Sequence, residues 1–116
     1  MLMAREAARH FVAQESGDIV NISSTSGLRG GKNGTAYTGS KFALRGMTEC
    51  WRAELRPHNV RVMLVNPSEV QTGFFGKLGQ EREYSEKKLR PQEIAAAVVG
   101  ALEIDDRGFI PEFSVF

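Results

Sequence analysis

The run from Asn59 to Pro67, NVRVMLVNP, constrains this chain more than any other stretch. Its apolar residues are nearly continuous instead of alternating, which is the pattern of a parallel strand covered on both faces. Parallel strands cannot be joined by tight hairpins; they need crossover connections, usually helices. The flanking sequence supplies them. DIVNIS, Asp18 to Ser23, reads as a second short strand, with Ile19, Val20 and Ile22 in a run compatible with burial on both faces. Between the two strands, Leu44, Met47, Trp51 and Leu55 recur three or four apart, and Pro57 marks the stop of that helix. Residues 1 to about 15 read as an amphipathic helix, with Leu2, Ala7 or Ala8, Phe11 and Val12 on one side and Arg5, Glu6 and Arg9 on the other; Gly17 follows as a helix-ending glycine. Downstream, Pro91 suits the first position of a helix, PQEIAAAVVGALEI, which DRG ends before a last apolar strand, FIPEFSVF. Helix, strand, helix, strand, helix, strand predicts an α/β chain: about three parallel strands with helices on the faces of the sheet. The chain starts within a helix and ends on a strand, so it reads as cut at both ends.

At 116 residues the chain holds one small core. A formal charge of +1 gives no electrostatic reason to expect nucleic acid or an anionic membrane surface as partner. The longest apolar run, Ile94 to Leu102, is too short to span a bilayer, and charges interrupt the N-terminal segment where a signal peptide would be apolar. With Cys50 as the sole cysteine, no internal disulfide forms. The expectation is a cytoplasmic protein, with Cys50 as a small core residue. His10 and His58 have no second ligand at metal spacing, so no metal site is expected.

The segment from Asp18 to Lys41, DIVNISSTSGLRGGKNGTAYTGSK, runs strand, glycine-rich loop, helix, which is also the layout of a phosphate-binding site. The loop fails that test. Gly31-Lys32 is followed by Asn33, where a Walker loop requires Ser or Thr, and Ser26 stands where it requires glycine. No two of Gly27, Gly30, Gly31 and Gly34 stand two apart, so the dinucleotide fingerprint fails as well.

The residues that bracket the loop carry more information. Tyr37 and Lys41 stand four apart at a helix start, so they share one face, within about 5–6 Å of each other. A free tyrosine titrates near ~10, and bringing it near ~7 takes roughly 4 kcal/mol of phenolate stabilisation. An ammonium about 5 Å away supplies roughly 3 kcal/mol at an effective dielectric of ~20. Ser24, at the end of the first strand, is placed to hydrogen-bond the same substrate oxygen. A Tyr-x-x-x-Lys tetrapeptide alone is also common on surfaces, and serines at strand ends are commonly turn formers.

Taken together, GDIVNISSTSG, Tyr37 thirteen positions after Ser24, Lys41, and a strand ending in VNPSEVQTGFF resemble the short-chain dehydrogenase/reductase family over nearly the whole chain. The resemblance implies a partial Rossmann-like, doubly wound parallel sheet. Residues 1–116 would be the C-terminal half of such a domain, since nothing before Met1 corresponds to the family's glycine-rich pyrophosphate turn. Tyr37 would be the general acid/base of a hydride transfer between NAD or NADP and a carbonyl/alcohol substrate, a 3-oxoacyl compound or small ketone among the candidates. Lys41 would lower the Tyr37 pKa and bind the nicotinamide ribose, and Ser24 would polarise the substrate carbonyl. Asn21, Ile22 and Ser23 match strand positions beneath the cofactor. Pro67, Ser68, Val70 and Thr72 match the segment lining the nicotinamide, with Ser68 where the family carries glycine. The stretch from Phe74 to Lys88 matches the substrate-binding region, and residues 1–15 and 36–56 match the helices of a homo-oligomer interface. A second reading stays open: a catalytically incompetent relative that keeps the helices and serves only for association.

Overall fold

The computed structural model describes residues 1–71 and 86–116. Helix α1 spans Leu2–Gln14, strand β1 Gly17–Ile22, helix α2 Thr35–Leu55, strand β2 Val60–Pro67, helix α3 Pro91–Leu102 and strand β3 Glu112–Val115. Single 3-10 turns follow β1, at Thr25–Gly27, and α2, at Arg56–His58. The strands form one parallel sheet in the order β1-β2-β3, with Gly17 opposite Val60 and Leu64 opposite Glu112. This is the α/β architecture that the strand and helix pattern predicts.

Burial divides the strands unequally. Every residue of β2 is buried, as its continuous apolar run requires of the central strand. β1 departs from expectation: only Ile19 is buried, Val20 is intermediate and Ile22 is 46% exposed. Within the described sheet β1 has a neighbour on one side alone, so it is an edge strand. β3 is shorter than the FIPEFSVF run. Pro111 offers no amide hydrogen, so the ladder takes only its carbonyl, which accepts from Leu64 N at 3.0 Å, and the strand begins one residue later.

Successive strand residues face opposite sides of the sheet. Ile19, Val60 and Val62 form a cluster against Phe11 of α1 and Trp51 and Leu55 of α2. Arg61 points to the other side, where its guanidinium meets carbonyls at the end of α3. The two faces are therefore covered by different helices. α2 carries its inward stripe on Met47, Thr48, Trp51 and Leu55, which leaves Cys50 on the outer side. Contrary to the sequence expectation, Cys50 is exposed. Leu2 is likewise exposed, although it lies in phase with the apolar stripe of α1. Among the described residues no helix is long and apolar enough to cross a membrane, and no cluster of His, Cys, Asp and Glu could hold a metal.

Candidate active site

In a parallel sheet the carboxyl ends of the strands face a common rim, and the loops that follow them form the usual binding crevice. Here the rim is built from the end of β1, the first turns of α2 and the end of β2. Ser23 closes β1: its N–H donates to the Val65 carbonyl at 2.8 Å, and its Oγ donates to the Lys41 carbonyl at 3.5 Å. Ser24 is extended and caps the 3-10 turn, its Oγ accepting from Ser26 N at 3.1 Å while still having a hydrogen to donate. Gly27 then lets the chain pass close to α2. A Cβ there would stand 2.9 Å from Ser23 Oγ and 3.1 Å from the Lys41 carbonyl, so a larger residue would push the loop off the helix.

α2 begins at Thr35, and its first turns present Tyr37 and Lys41. The Tyr37 side chain is half exposed. Lys41 Nζ stands 5.7 Å from the centroid of the Tyr37 ring and donates to the Ile22 carbonyl at 3.3 Å. Lys41 meets no carboxylate among the described residues. Its ammonium is thus held at the strand end by a neutral acceptor, with donors left for a ligand. The helical spacing of four and the return of the loop bring Ser24, Tyr37 and Lys41 to one rim of the sheet.

The residues matched to the cofactor divide into three sets. Asn21 and Ser23 turn their side chains toward α2: Asn21 Nδ2 donates to Thr48 Oγ1 at 2.9 Å, and Ser23 is buried. Ile22 points the opposite way and is exposed, so along this strand end the open surface belongs to Ile22. At the end of β2, Pro67 is buried and Ser68 N donates to the Val115 carbonyl at 2.8 Å. Ser68 is not among the residues with positive φ, so the backbone there accepts a side chain where glycine was expected. Val70 forms a parallel bridge with Leu89, and Gln71 N donates to the Leu89 carbonyl at 2.8 Å, which fixes this segment against the chain leading into α3. Thr72, and the part of the expected substrate region from Phe74 to Ser85, lie outside the described residues.

Two charged pairs near the rim were not singled out from sequence. Arg45 of α2 holds Glu112 of β3 with a two-pronged contact, Nε to Oε1 at 2.8 Å and Nη2 to Oε2 at 3.1 Å. The Arg45 hydrogen bond holds the Glu112 carboxyl below its ordinary value. Glu69 pairs with Lys88 at 2.9 Å. Residues so far apart in sequence carry no local pattern that would pair them.

A profile of the short chain dehydrogenase family matches residues 1–83. This chain belongs to the short-chain dehydrogenase family. Among curated relatives of this family, 3-oxoacyl-[acyl-carrier-protein] reductase of Thermotoga maritima is 33% identical over 97 residues, which are 78% of this chain and 39% of that protein. Sorbitol-6-phosphate 2-dehydrogenase of Klebsiella pneumoniae is 39% identical over 85 residues, 72% of this chain and 30% of that one. The chain thus spans well under half the length of these two short-chain dehydrogenases. Among solved structures, serine dehydrogenase complexed with NADP+ superposes with a TM-score of 0.87 at 26% identity, covering 97% of this chain and 49% of that one.

Proposed function

We propose that this chain carries the proton-transfer site of a nicotinamide-dependent oxidoreductase acting on a carbonyl/alcohol pair, as the C-terminal half of its domain. The observation that carries the reading is the placing of the Lys41 ammonium 5.7 Å from the Tyr37 ring, on the rim where Ser24 follows the end of β1. Tyr37 Oη gives a proton to the carbonyl oxygen in reduction and takes one from the alcohol in oxidation. Lys41 supplies a positive charge beside the ring from which the proton leaves. Ser24 Oγ donates to the same oxygen and stabilises the charge that develops on it.

The rim fits a nicotinamide group, since Lys41 has unused donors and the surface beside it is exposed. When bound, that group supplies or accepts the hydride. Lys41, with the backbone of Asn21, Ile22 and Ser23 and the segment Pro67, Ser68, Val70 and Thr72, would hold it. The serine dehydrogenase structure with NADP+ and a 4-hydroxyisoleucine dehydrogenase structure with NADH, 29% identical to this chain, both support a nicotinamide cofactor. A 3-oxoacyl compound or a small ketone is the first substrate to try, given the Thermotoga relative. We also assign α1 and α2 to a homo-oligomer contact, because Met1, Leu2, Ala8, Trp51 and Leu55, with Arg5 and Glu54 among them, line an open, mainly apolar groove of about 320 Å³ between the two helices. A cytoplasmic setting is consistent with this chemistry.

The test is titration of the chain with NADH and NADPH, followed by ketone reduction with the parent and Tyr37→Phe. Dinucleotide binding with a loss of turnover of about 10²–10⁴-fold in Tyr37→Phe supports the reading. Absence of dinucleotide binding favours the association-only reading instead.

A further inference from the structure

We propose that the substrate of this site carries an oxyanion, a carboxylate or a phosphate monoester, and that Arg29 and Lys32 receive it. The proposal rests on the assignment of Ser24, Tyr37 and Lys41 to hydride-transfer chemistry and adds the class of substrate.

From Ile19 to Thr48, thirty consecutive residues, there is no aspartate or glutamate, although the chain has 14 acidic residues in 116. The same stretch holds four cations: Arg29, Lys32, Lys41 and Arg45. Arg45 is neutralised, by Glu112 at 2.8 Å and Glu49 at 3.5 Å. Lys41 is already assigned to the Ile22 carbonyl, to Tyr37 and to the nicotinamide group. The acidic residue after β2, Glu69, is engaged with Lys88. Arg29 and Lys32 meet no carboxylate and make no hydrogen bond among the described residues. They are the two unbalanced charges of the loop between Ser24 and Tyr37.

Their position follows from how that loop is anchored. Gly27 lies against Ser23 and the Lys41 carbonyl, and at the other end Thr38 N donates to the Gly34 carbonyl at 2.7 Å as α2 begins. Leu28 to Asn33 form a six-residue arc between these anchors, and every one of them is exposed. Arg29 stands five residues after Ser24, and Lys32 stands five before Tyr37. Arg29 stands two residues from the Gly27 anchor and Lys32 two from Gly34, so the backbone of each is kept within about 7 Å of an anchored residue. An arginine offers a planar fork that matches a carboxylate or phosphate, and a lysine adds a mobile point charge. A neutral ketone would use neither.

The experiment is an NMR titration of the full 15N-labelled chain at low salt with two matched pairs: 3-hydroxybutyrate against its methyl ester, and glycerol 3-phosphate against glycerol. We expect the anion of at least one pair to bind about tenfold tighter than its neutral partner, with shifts centred on residues 28–37. The pair that shows the larger gap identifies the oxyanion. Arg29→Gln should narrow the gap about threefold and Arg29→Gln/Lys32→Gln should abolish it. Both residues are exposed, so the folded spectrum should persist. Equal binding of acid and ester and of phosphate and glycerol, no saturation by either anion across the millimolar range, or a gap that survives the double variant would overturn the proposal. Tyr37→Phe separates the two claims, because it should stop turnover while leaving the gap intact. Unchanged turnover in Tyr37→Phe with the gap present sinks the chemistry and leaves the anion site standing.

Discussion

Arg61 lies within the apolar run of β2, where a cation is costly to bury unless its donors are all used. All are. Nε and Nη2 hold the two oxygens of Asp18 at 2.6 and 2.9 Å, Nη1 donates to the carbonyls of Ile104 and Gly108, and Nη2 also donates to that of Leu102. Arg61→Ala strands a carboxylate and three carbonyls, and we expect a loss of about 3 kcal/mol in urea unfolding, softened because Asp18 is partly hydrated. Arg61→Lys keeps the charge but not the fork, and should recover less than half of that loss. A loss under about 1 kcal/mol for Arg61→Ala would mean that water replaces the guanidinium at little cost. Gly17 makes a sharper case: a Cβ there lands on the Phe11 ring, so Gly17→Ala should cost about 1–3 kcal/mol by forcing α1 outward. Only the second was half-legible in sequence. Arg61 drew no expectation of its own, since its partners are over forty positions away, and Gly17 reads as a helix end, whereas its tight packing depends on a ring that the fold brings over it.

Among elements, α2 and β3 are joined by Arg45 and Glu112, 67 positions apart. The bond holds the Glu112 carboxyl below its ordinary range, so the pair stabilises the fold at neutral pH. That contribution is complete above the unfolded carboxylate value of about 4.3 and is lost as the pH falls through the lowered folded value. Side-chain exposures of 37% and 28% keep it small, below about 1 kcal/mol. Glu112→Gln should therefore reduce stability slightly at pH 7 and flatten the acid limb of the stability curve, measured as denaturation midpoints from pH 7 to below 4. An unaltered acid limb would assign the loss to other carboxylates. Element type and order were readable because helical and strand periods differ. Burial of β1 was not: its sequence resembles that of β2, and the difference lies in which neighbours each strand has. The spacing of Tyr37 and Lys41 was legible for the opposite reason, since one helix contains both.

For the molecule as a whole, the apolar groove between α1 and α2, together with Met1, Leu2 and Met3 at 82, 71 and 82% exposure, leaves oily surface in water. If α1 and α2 form the homo-oligomer contact assigned above, sedimentation should show concentration-dependent association, and Ala8→Glu should shift the chain toward monomer without altering its far-ultraviolet spectrum. A monomer at every concentration would remove that assignment. The Arg61 clasp has a further consequence, because it fastens the sheet at the amino ends of β1 and β2 while Ser24, Tyr37, Lys41 and the Arg29–Lys32 arc occupy the carboxyl ends. Strength and the proposed chemistry are thus housed at opposite poles of the same strands. If the arc receives the substrate as proposed, it can trade its charges for others, and so change which molecules it greets, while the knot that keeps the strands in step is left untouched.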